Sequence, residues 1–293
     1  MARRRPPSVH GLAIVDKPAG VTSHDVVAQL RRRFGERRIG HAGTLDPGAT
    51  GVLIVGVGHV TRLLRFVTAG TKRYTGEIVL GVETASLDAD GAVTATHAMA
   101  PVELAWARRV VAEQLTGTIE QVPPMVSALH VDGRRLHDLA REGIEVERAP
   151  RAVTIECFDI TGTTIDPDGR QVLHVDVTCS AGTYVRTLAA DLGRLLGGGG
   201  HLRGLRRTVV APFTIEEAAP PEACELLPPA AAVRALPQLV ASDATAARIA
   251  NGAVLDAPPG MGPWAFVDGA GDVLAVYEEH RTGTAKPAVV IPL

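Results

Sequence analysis

A glycine-rich loop runs directly into an apolar run in the stretch GHAGTLDPGATGVLIVGV, residues 40–57. The apolar run is short and bounded by glycine, which predicts a buried strand. Gly43 and Gly48 have the spacing of a phosphate-binding P-loop, but Ala49 stands where that loop carries its lysine. Because a strand and not a helix follows, the stretch does not favour a nucleotide-binding loop.

Asp46 stands at the centre of this loop, and two interpretations of it are open. Asp-Pro-Gly is a common turn, in which Asp accepts backbone hydrogen bonds and Pro fixes φ, so spacing alone favours a structural turn. The predicted loop 35–50 is long, and its glycines permit a close backbone approach to a ligand. Arg37, Arg38 and His41 lie just upstream, as expected if an anionic substrate reaches the acid.

The pattern on both sides of this loop predicts an α+β domain. GLAIVDK (11–17) is a buried strand, and Ser23 is the predicted N-cap of the helix that follows. Further strands are predicted at 51–57, 73–82, 152–165, 171–179 and 206–213, and further helices at 101–117 and 183–197. Helices and strands do not alternate strictly, which favours a mostly antiparallel mixed sheet flanked by helices over a doubly wound fold.

A Pro- and Ala-rich segment, 219–232, predicts a linker between two domains. We therefore expect a large domain at 8–232 and a small β-rich domain at 240–293. The 293 residues are enough for such a pair, and the hydrophobic and charged fractions of 46% and 21% are typical of globular proteins.

Three features of the composition predict a cytoplasmic protein. The three cysteines are far apart and form no C-x-x-C pair, which disfavours a disulfide framework or a zinc site. No apolar run approaches the ~18 residues that span a membrane. The apolar run near the N-terminus is too short for a signal peptide.

Basic residues concentrate in three clusters, 31–38, 71–74 and 201–207, although the net charge is −2. Any single cluster is best explained as a solvated face. Three clusters in an otherwise acidic chain favour a surface that follows phosphates.

Three further residues have both a structural and a functional interpretation. Arg186, in CSAGTYVRTLAADLG, is either a surface arginine or a partly buried cation that faces a carboxylate. Tyr74 is either an ordinary core tyrosine of a strand or a group in a site. Lys17 ends a buried strand, where it is either a turn residue or a brace for a catalytic loop.

Six fragments in order resemble the TruB family of bacterial tRNA pseudouridine-55 synthases. They are VDKPAGVTSHDVV (15–27), RRIGHAGTLDPGATGVLIVGVGHVTRLL (37–64), KRYTGEIVLGVETASLDADG (72–91), VPPMVSALHVDGRRLHDLAREG (122–143), CSAGTYVRTLAADLG (179–193) and GGHLRGLRRTVVAPF (199–213). The resemblance covers about residues 8 to 215. The last 50 residues resemble the family's small PUA-like RNA-binding domain only loosely.

The resemblance implies a pseudouridine synthase fold and a specific reaction. The uracil of uridine 55 in the tRNA T-loop is detached from C1′, turned and rejoined through C5. Asp46 matches the family's catalytic aspartate, Tyr74 the tyrosine that stacks on or deprotonates the base, and Arg186 the arginine that pairs with the aspartate. That arginine would keep a buried carboxylate ionised, because burial alone raises the pKa of a carboxyl group.

The remaining site residues also follow from the resemblance. Asp88 is similar to an acid that completes the charge network, and His41 to a histidine at the flipped nucleotide. Lys17 and Tyr184 match positions that support the site. Arg37, Arg38 and Arg206 are expected to contact phosphates, because RNA loops are bound through their backbone and splayed bases.

The reaction is a redox-neutral isomerisation, so we expect no cofactor and no metal. The expected partner is the T-arm stem-loop of tRNA, bound by a monomer with no obligate protein partner and no membrane. Two other functions stay open. A non-catalytic tRNA-binding module or folding chaperone would need the arginines but not Asp46, Tyr74 and Arg186 together. A glycoside hydrolase would need two carboxylates in different roles.

Overall fold

The computed structural model describes residues 6–127, 129–131 and 133–292. Its α-helices are α1 (Ser23–Phe34), α2 (Leu64–Thr68), α3 (Leu104–Gln114), α4 (Leu136–Arg141), α5 (Val185–Leu195) and α6 (Asp243–Ala250). Its first strands are β1 (Gly11–Lys17), β2 (Ile39–Ala42), β3 (Thr50–Val57), β4 (Lys72–Leu80), β5 (Val82–Thr84), β6 (Val93–Thr96), β7 (Gly117–Gln121), β8 (His130–Val131) and β9 (Arg134–Arg135). The others are β10 (Arg151–Ile165), β11 (Gln171–Cys179), β12 (Gly200–Val210), β13 (Phe213–Thr214), β14 (Gln238–Val240), β15 (Leu255–Asp256), β16 (Trp264–Val267), β17 (Val273–Glu279) and β18 (Thr284–Val290).

The chain forms two compact units. Unit 1 contains Met1–Gly70 and Val209–Leu293, and unit 2 contains Thr71–Thr208. This division follows contacts in space, and the domain limits 8–232 and 240–293 stay a prediction. Among the described residues, no helix is long and apolar enough to cross a membrane.

In unit 1, β3 lies between β1 and β2 and pairs antiparallel with both. The strand predicted at 51–57 is confirmed, but β2 corrects the prediction of an unbroken loop over 35–50. Ile39 pairs with Val57 and Ala42 with Ile54. The loop that carries Asp46 is therefore a connection of seven residues, 43–49, between two paired strands.

The C-terminal part of unit 1 forms a second sheet in the order β14-β16-β17-β18-β15. The pairing is antiparallel except between β14 and β16, which confirms the β-rich end of the chain. Buried side chains from both sheets of unit 1 share one apolar cluster. Its members include Leu12, Ile14, Val52, Ile54, Ala265, Val273, Val276 and Val289.

Unit 2 is built on the strand order β12-β4-β11-β10-β7. β4, β11, β10 and β7 pair antiparallel, which confirms the mostly antiparallel sheet. The strand predicted at 206–213 begins earlier, at Gly200, and ends at Val210. The helix predicted at 183–197 is α5, which buries most of its residues as expected from its amphipathic pattern.

Candidate active site

The loop around Asp46 is held by the segment that joins β1 to α1. Lys17 is fully buried, and its Nζ donates to the carbonyl oxygens of Pro18 (2.9 Å), Val21 (2.7 Å) and Pro47 (3.1 Å). Gly20 N–H also donates to Pro47 O at 2.9 Å. Two of these carbonyls belong to the turn that follows Lys17, and the third belongs to the residue after Asp46. Lys17 therefore binds both its own turn and the loop that carries Asp46.

Ser23 has a different role from the predicted one. The N-cap of α1 is Thr22, which forms a capping box with Asp25, and Ser23 is the first helical residue. Its hydroxyl donates to Leu45 O at 3.1 Å and accepts from Leu45 N–H at 3.0 Å. The prediction failed because either hydroxyl satisfies the local capping rule.

His41 lies on β2, opposite Val55 of β3, and is half-buried. Its ring meets the ring of His24 from α1 edge to face, with centroids 5.5 Å apart. This contact fixes the plane of the His41 ring at the start of the Asp46 loop.

Arg37 and Arg38 line a groove of unit 1 with Arg31, Glu36 and His59. Arg31 donates to the carbonyls of Arg37 (3.1 Å) and Ile39 (3.2 Å), and Arg38 Nε donates to Thr61 Oγ1 at 3.1 Å. Among the described residues, these three guanidinium groups form no ion pair with a carboxylate. The groove therefore has three guanidinium groups that are not ion-paired, against a single acid, Glu36.

The acid in this groove, Glu36, is buried and accepts the backbone N–H groups of Ser8 (3.0 Å) and Arg38 (2.9 Å). These and other backbone hydrogen bonds lower the pKa of Glu36. Burial and the neighbouring cations lower the pKa of His59, so at neutral pH His59 adds no charge to the groove. Its positive potential comes from the arginines.

In unit 2, Arg186 lies at the start of α5 and is 5% exposed. Its Nη1 is 3.4 Å from Asp88 Oδ2 and from Ser86 O, and its Nη2 donates to Val126 O at 2.6 Å. The surface-arginine interpretation is therefore wrong, and a buried guanidinium faces the carboxylate of Asp88.

Asp88 is oriented by its own turn. Its Oδ1 accepts from the Ser86 hydroxyl (2.5 Å) and from the Asp90 N–H (3.2 Å), and the Thr84 hydroxyl donates to its carbonyl at 2.6 Å. The preceding Leu87 has a φ of 65°, a strained conformation that persists where the surroundings impose it. This turn leaves Oδ2 facing Arg186.

Tyr184 and Tyr74 occupy different environments in unit 2. Tyr184 is the N-cap of α5, and its backbone forms two hydrogen bonds with the Gln121 amide (2.8 and 3.1 Å). Its ring centroid is 5.8 Å from the Arg186 guanidinium carbon, within range of a cation–π contact. Tyr74 lies on β4 opposite Val177 and is 8% exposed.

The basic cluster 201–207 does not act as one surface. Arg203 binds Glu77 at 2.9 Å and lies 3.8 Å from Asp166, Arg206 is half-buried, and Arg207 is 2% exposed. Nearby Lys72 is also buried, and its burial and the charge of Arg207 lower its pKa to about 8.

The predicted site residues fall into two sets. Unit 1 holds Lys17, Arg37, Arg38, His41 and Asp46, and unit 2 holds Tyr74, Asp88, Tyr184, Arg186 and Arg206. Among the described residues, no group of three or more His, Cys, Asp or Glu side chains could hold a metal ion.

Family models match most of the chain. The model for the N-terminal domain of TruB family pseudouridylate synthases matches residues 31–185, and that for the C-terminal domain of tRNA pseudouridylate synthase B matches residues 186–223. The chain belongs to the TruB family.

Curated relatives named tRNA pseudouridine synthase B agree with this TruB assignment. The protein of Corynebacterium aurimucosum is 46% identical over 290 residues, which cover 96% of both chains. The protein of Thermobifida fusca is 47% identical over 288 residues, which cover 96% of this chain and 98% of the relative.

Solved structures show that the fold is that of a pseudouridine synthase. A chain in the crystal structure of a Cbf5-Nop10-Gar1 complex matches with a TM-score of 0.69 at 24% identity, over 93% of this chain and 79% of that one. A chain in the structure of an H/ACA RNP bound to a substrate RNA containing 2′-deoxyuridine matches with a TM-score of 0.67 at 23% identity, over 92% and 77%.

Several contacts around the predicted site residues of each unit were not found from the sequence. Gln121 holds the Tyr184 backbone, the Val126 carbonyl binds Arg186, and Ser23 binds Leu45. Each contact joins segments 22 or more residues apart, and each uses a backbone atom as partner. Sequence patterns carry no signal for such contacts. The capping motif did indicate Ser23, but as a helix cap and not as a partner of Leu45.

Proposed function

We propose that the chain converts uridine 55 in the T-loop of tRNA to pseudouridine, with Asp46 as the catalytic group. Membership of the TruB family supports the reaction, and it is the observation that carries the proposal. The bracing of the Asp46 loop supports the assignment of the residue. Lys17 and Gly20 bind the carbonyl after it, and Ser23 binds the residue before it.

The reaction balances within one nucleoside. The bond between N1 and C1′ breaks, the uracil turns, C5 bonds to C1′, the C5 proton is lost and N1 gains a proton. An ionised carboxylate can attack C1′, add to C6 or take the C2′ proton, and each route needs the anion of Asp46. Since no electron leaves the nucleoside, the chemistry requires no cofactor.

Arg186 is the proposed partner of Asp46, with Asp88 as the second acid of the network. A guanidinium favours the charged form of a nearby carboxylate and so keeps it reactive in a site that excludes water. The contact of 3.4 Å between Arg186 and Asp88 supports the pairing of these two members of the proposed network. Tyr74 is proposed to act on the uracil, and Tyr184 supports Arg186.

Extraction of the target base from the T-loop costs a few kcal/mol of unstacking, which contacts with the protein must offset. His41 is the proposed contact for the flipped nucleotide. The groove of Arg31, Arg37 and Arg38 supports binding of the RNA backbone, since its three guanidinium groups form no ion pair among the described residues and outnumber the one acid of the groove, Glu36. Arg206 is a further proposed phosphate contact.

The proposed organisation is a catalytic domain at 8–232 and a small PUA-like RNA-binding domain at 240–293. The proposed partner is the T-arm stem-loop of tRNA, bound by a cytoplasmic monomer without an obligate protein partner.

The test is tritium release from tRNA labelled at C5 of uridine. The wild type should release tritium and form pseudouridine at position 55, and Asp46→Asn should abolish release while it still binds tRNA. Asp25→Asn, which changes an exposed acid of the α1 cap, should keep the activity. Full activity of Asp46→Asn would refute the catalytic assignment, and tRNA binding without any isomer in the wild type would support a non-catalytic binding protein.

A further inference from the structure

We propose that Ser23 is a positioning residue for Asp46, which it holds in place through the backbone of Leu45. The proposal rests on the proposed function, because it assigns Ser23 to the same catalytic loop. It gives the first residue of α1 a role in the rate of isomerisation and not only in the stability of the helix.

The two hydrogen bonds from Ser23 satisfy both backbone groups of Leu45. The hydroxyl donates to Leu45 O at 3.1 Å and accepts from Leu45 N–H at 3.0 Å. Ser23 is 1% exposed and Leu45 is 3% exposed, so water does not reach the pair in the folded loop. Without the hydroxyl, both backbone groups would be buried and unsatisfied unless the loop moved.

The residues directly before and after Asp46 are therefore anchored. Leu45 is bound by Ser23, and the Pro47 carbonyl accepts from Lys17 Nζ and Gly20 N–H. All these anchors lie in the segment 17–23 between β1 and α1. With the residues before and after it fixed, the Asp46 backbone has little freedom to move its carboxylate.

Helix α1 does not need the Ser23 hydroxyl for its own stability. Its capping box is formed by Thr22 and Asp25, and Thr22 Oγ1 accepts from Asp25 N–H at 3.0 Å. Two adjacent hydroxyls thus have separate tasks, since Thr22 caps the helix and Ser23 binds the loop. This separation supplies a matched control at the neighbouring position.

The experiment compares Ser23→Ala with Thr22→Ala in single-turnover and steady-state assays on tRNA. We expect Ser23→Ala to lower kcat about 10- to 100-fold, because a displacement of a catalytic group by about 1 Å has an effect of this size. Its KM should stay within about two-fold of the wild type, since the lost contact acts on the reacting group and not on RNA binding. Thr22→Ala should lower the melting temperature but keep kcat.

Hydrogen exchange gives a readout that does not depend on activity. The Leu45 amide should be protected in the wild type and in Thr22→Ala, and should exchange much faster in Ser23→Ala. If Ser23→Ala melts below the assay temperature, Ser23→Cys, which keeps a weak donor and acceptor, should fold and show an intermediate kcat.

Three outcomes would overturn the proposal. They are an unchanged kcat in Ser23→Ala, an equal loss of kcat in Thr22→Ala, or a Leu45 amide that exchanges equally fast with and without Ser23. A wild type that forms no pseudouridine would instead refute the proposed function, and the exchange result would still decide whether Ser23 anchors the loop.

Discussion

At the scale of single residues, Asp88 is the acid that lies against Arg186 in unit 2. Its two oxygens are used differently, since Oδ1 binds the Ser86 hydroxyl and Oδ2 faces Nη1 of Arg186. The guanidinium is 5% exposed, and a buried charge that loses its partner is strongly destabilised. The Asp88 carboxylate thus compensates the charge of the buried Arg186 guanidinium and helps to fix its position.

Asp88→Asn should therefore lower kcat about 10-fold or more while the Kd for tRNA changes little, since in the proposed function Arg186 acts on the catalytic group and not on RNA binding. Its melting temperature should also fall. Asp90→Asn, two residues along the same turn, is the control, because its side chain is exposed. Equal kcat values for Asp88→Asn and the wild type would contradict the role of Asp88.

The sequence offers candidates for chemistry more readily than it offers the residues that position them. Asp46 and Arg186 are candidates from their surrounding residues and from the family resemblance, and Asp88 is a candidate from the resemblance alone. Ser23 was assigned as a helix cap because capping rules see only the next three residues. Its actual partner, Leu45, lies 22 residues further along the chain, and only the folded loop shows it.

At the scale of elements, the limits of some segments were predicted well, whereas β12 begins six residues earlier than predicted and β2 was not predicted. α5 and the hairpin of β10 and β11 lie within a residue or two of their predicted limits, because their apolar patterns extend over many residues. β2 was missed, since its four residues IGHA show no alternation. It is a strand because β3 supplies its hydrogen bonds.

Gly193 lies where α5 packs closely against the backbone of Gly199 and Gly200 in unit 2. Replacement of an exposed helical glycine by alanine usually stabilises a helix by about 1 kcal/mol. Here a Cβ would lie 2.4 Å from Gly199 C and Gly200 N, backbone atoms that cannot rotate away, and such overpacking costs about 1–3 kcal/mol. Gly193→Ala should therefore lower the melting temperature.

The control is Gly269→Ala in the turn between β16 and β17, since a Cβ at Gly269 would meet no atom within 4 Å. Thermal denaturation of this variant should give a melting temperature close to that of the wild type. A Gly193→Ala protein as stable as the wild type would show that the contact between α5 and the Gly199–Gly200 backbone relaxes easily.

Arg234 lies in the segment that leads to the C-terminal sheet, and its side chain binds the segment that follows β13. Its guanidinium binds both carboxylate oxygens of Glu217 at 2.7 Å and lies 4.0 Å from the centroid of the Phe213 ring. The hydrogen bond from Arg234 is the main reason that the pKa of Glu217 is lowered. A lowered carboxyl pKa stabilises the fold above the unfolded value and loses this effect as the pH falls.

Glu217→Gln should accordingly lower the melting temperature at pH 7, by an amount that corresponds to about 0.5–1 kcal/mol for a half-exposed ion pair. The difference in melting temperature between Glu217→Gln and the wild type should shrink as the pH falls below 4.5, the ordinary carboxyl pKa. The Glu217 carboxylate is then protonated, first in the unfolded chain and at lower pH in the folded protein, where its pKa is lowered. Glu222→Gln, which changes an exposed acid, should show no such pH dependence. A difference that stays constant down to pH 4 would exclude the charge as its cause.

At the scale of the whole molecule, charge distribution matters more than net charge. The formal net charge is −2, which gives no attraction to RNA at long range. Arg73 of the cluster 71–74 is paired with Asp176, and Arg203 of the cluster 201–207 is paired with Glu77. In the groove of Arg31, Arg37 and Arg38 the one acid among the described lining residues is Glu36, so positive charge is in excess there, and the sequence already indicated this cluster.

This distribution predicts the salt dependence of tRNA binding. Each phosphate neutralised by an arginine releases counterions, and the slope of log Kobs against log salt changes by about 0.7–0.9 per contact. The double variant Arg37→Ala/Arg38→Ala should reduce the slope by about 1.5 and weaken binding most at low salt. Arg32→Ala removes an exposed charge of α1 that does not line the groove, so the slope should change less per arginine removed. An equal change of the slope per arginine in both variants would mean that tRNA affinity depends only on the total charge of the region. A larger change per arginine in the double variant would indicate that phosphates bind in the groove.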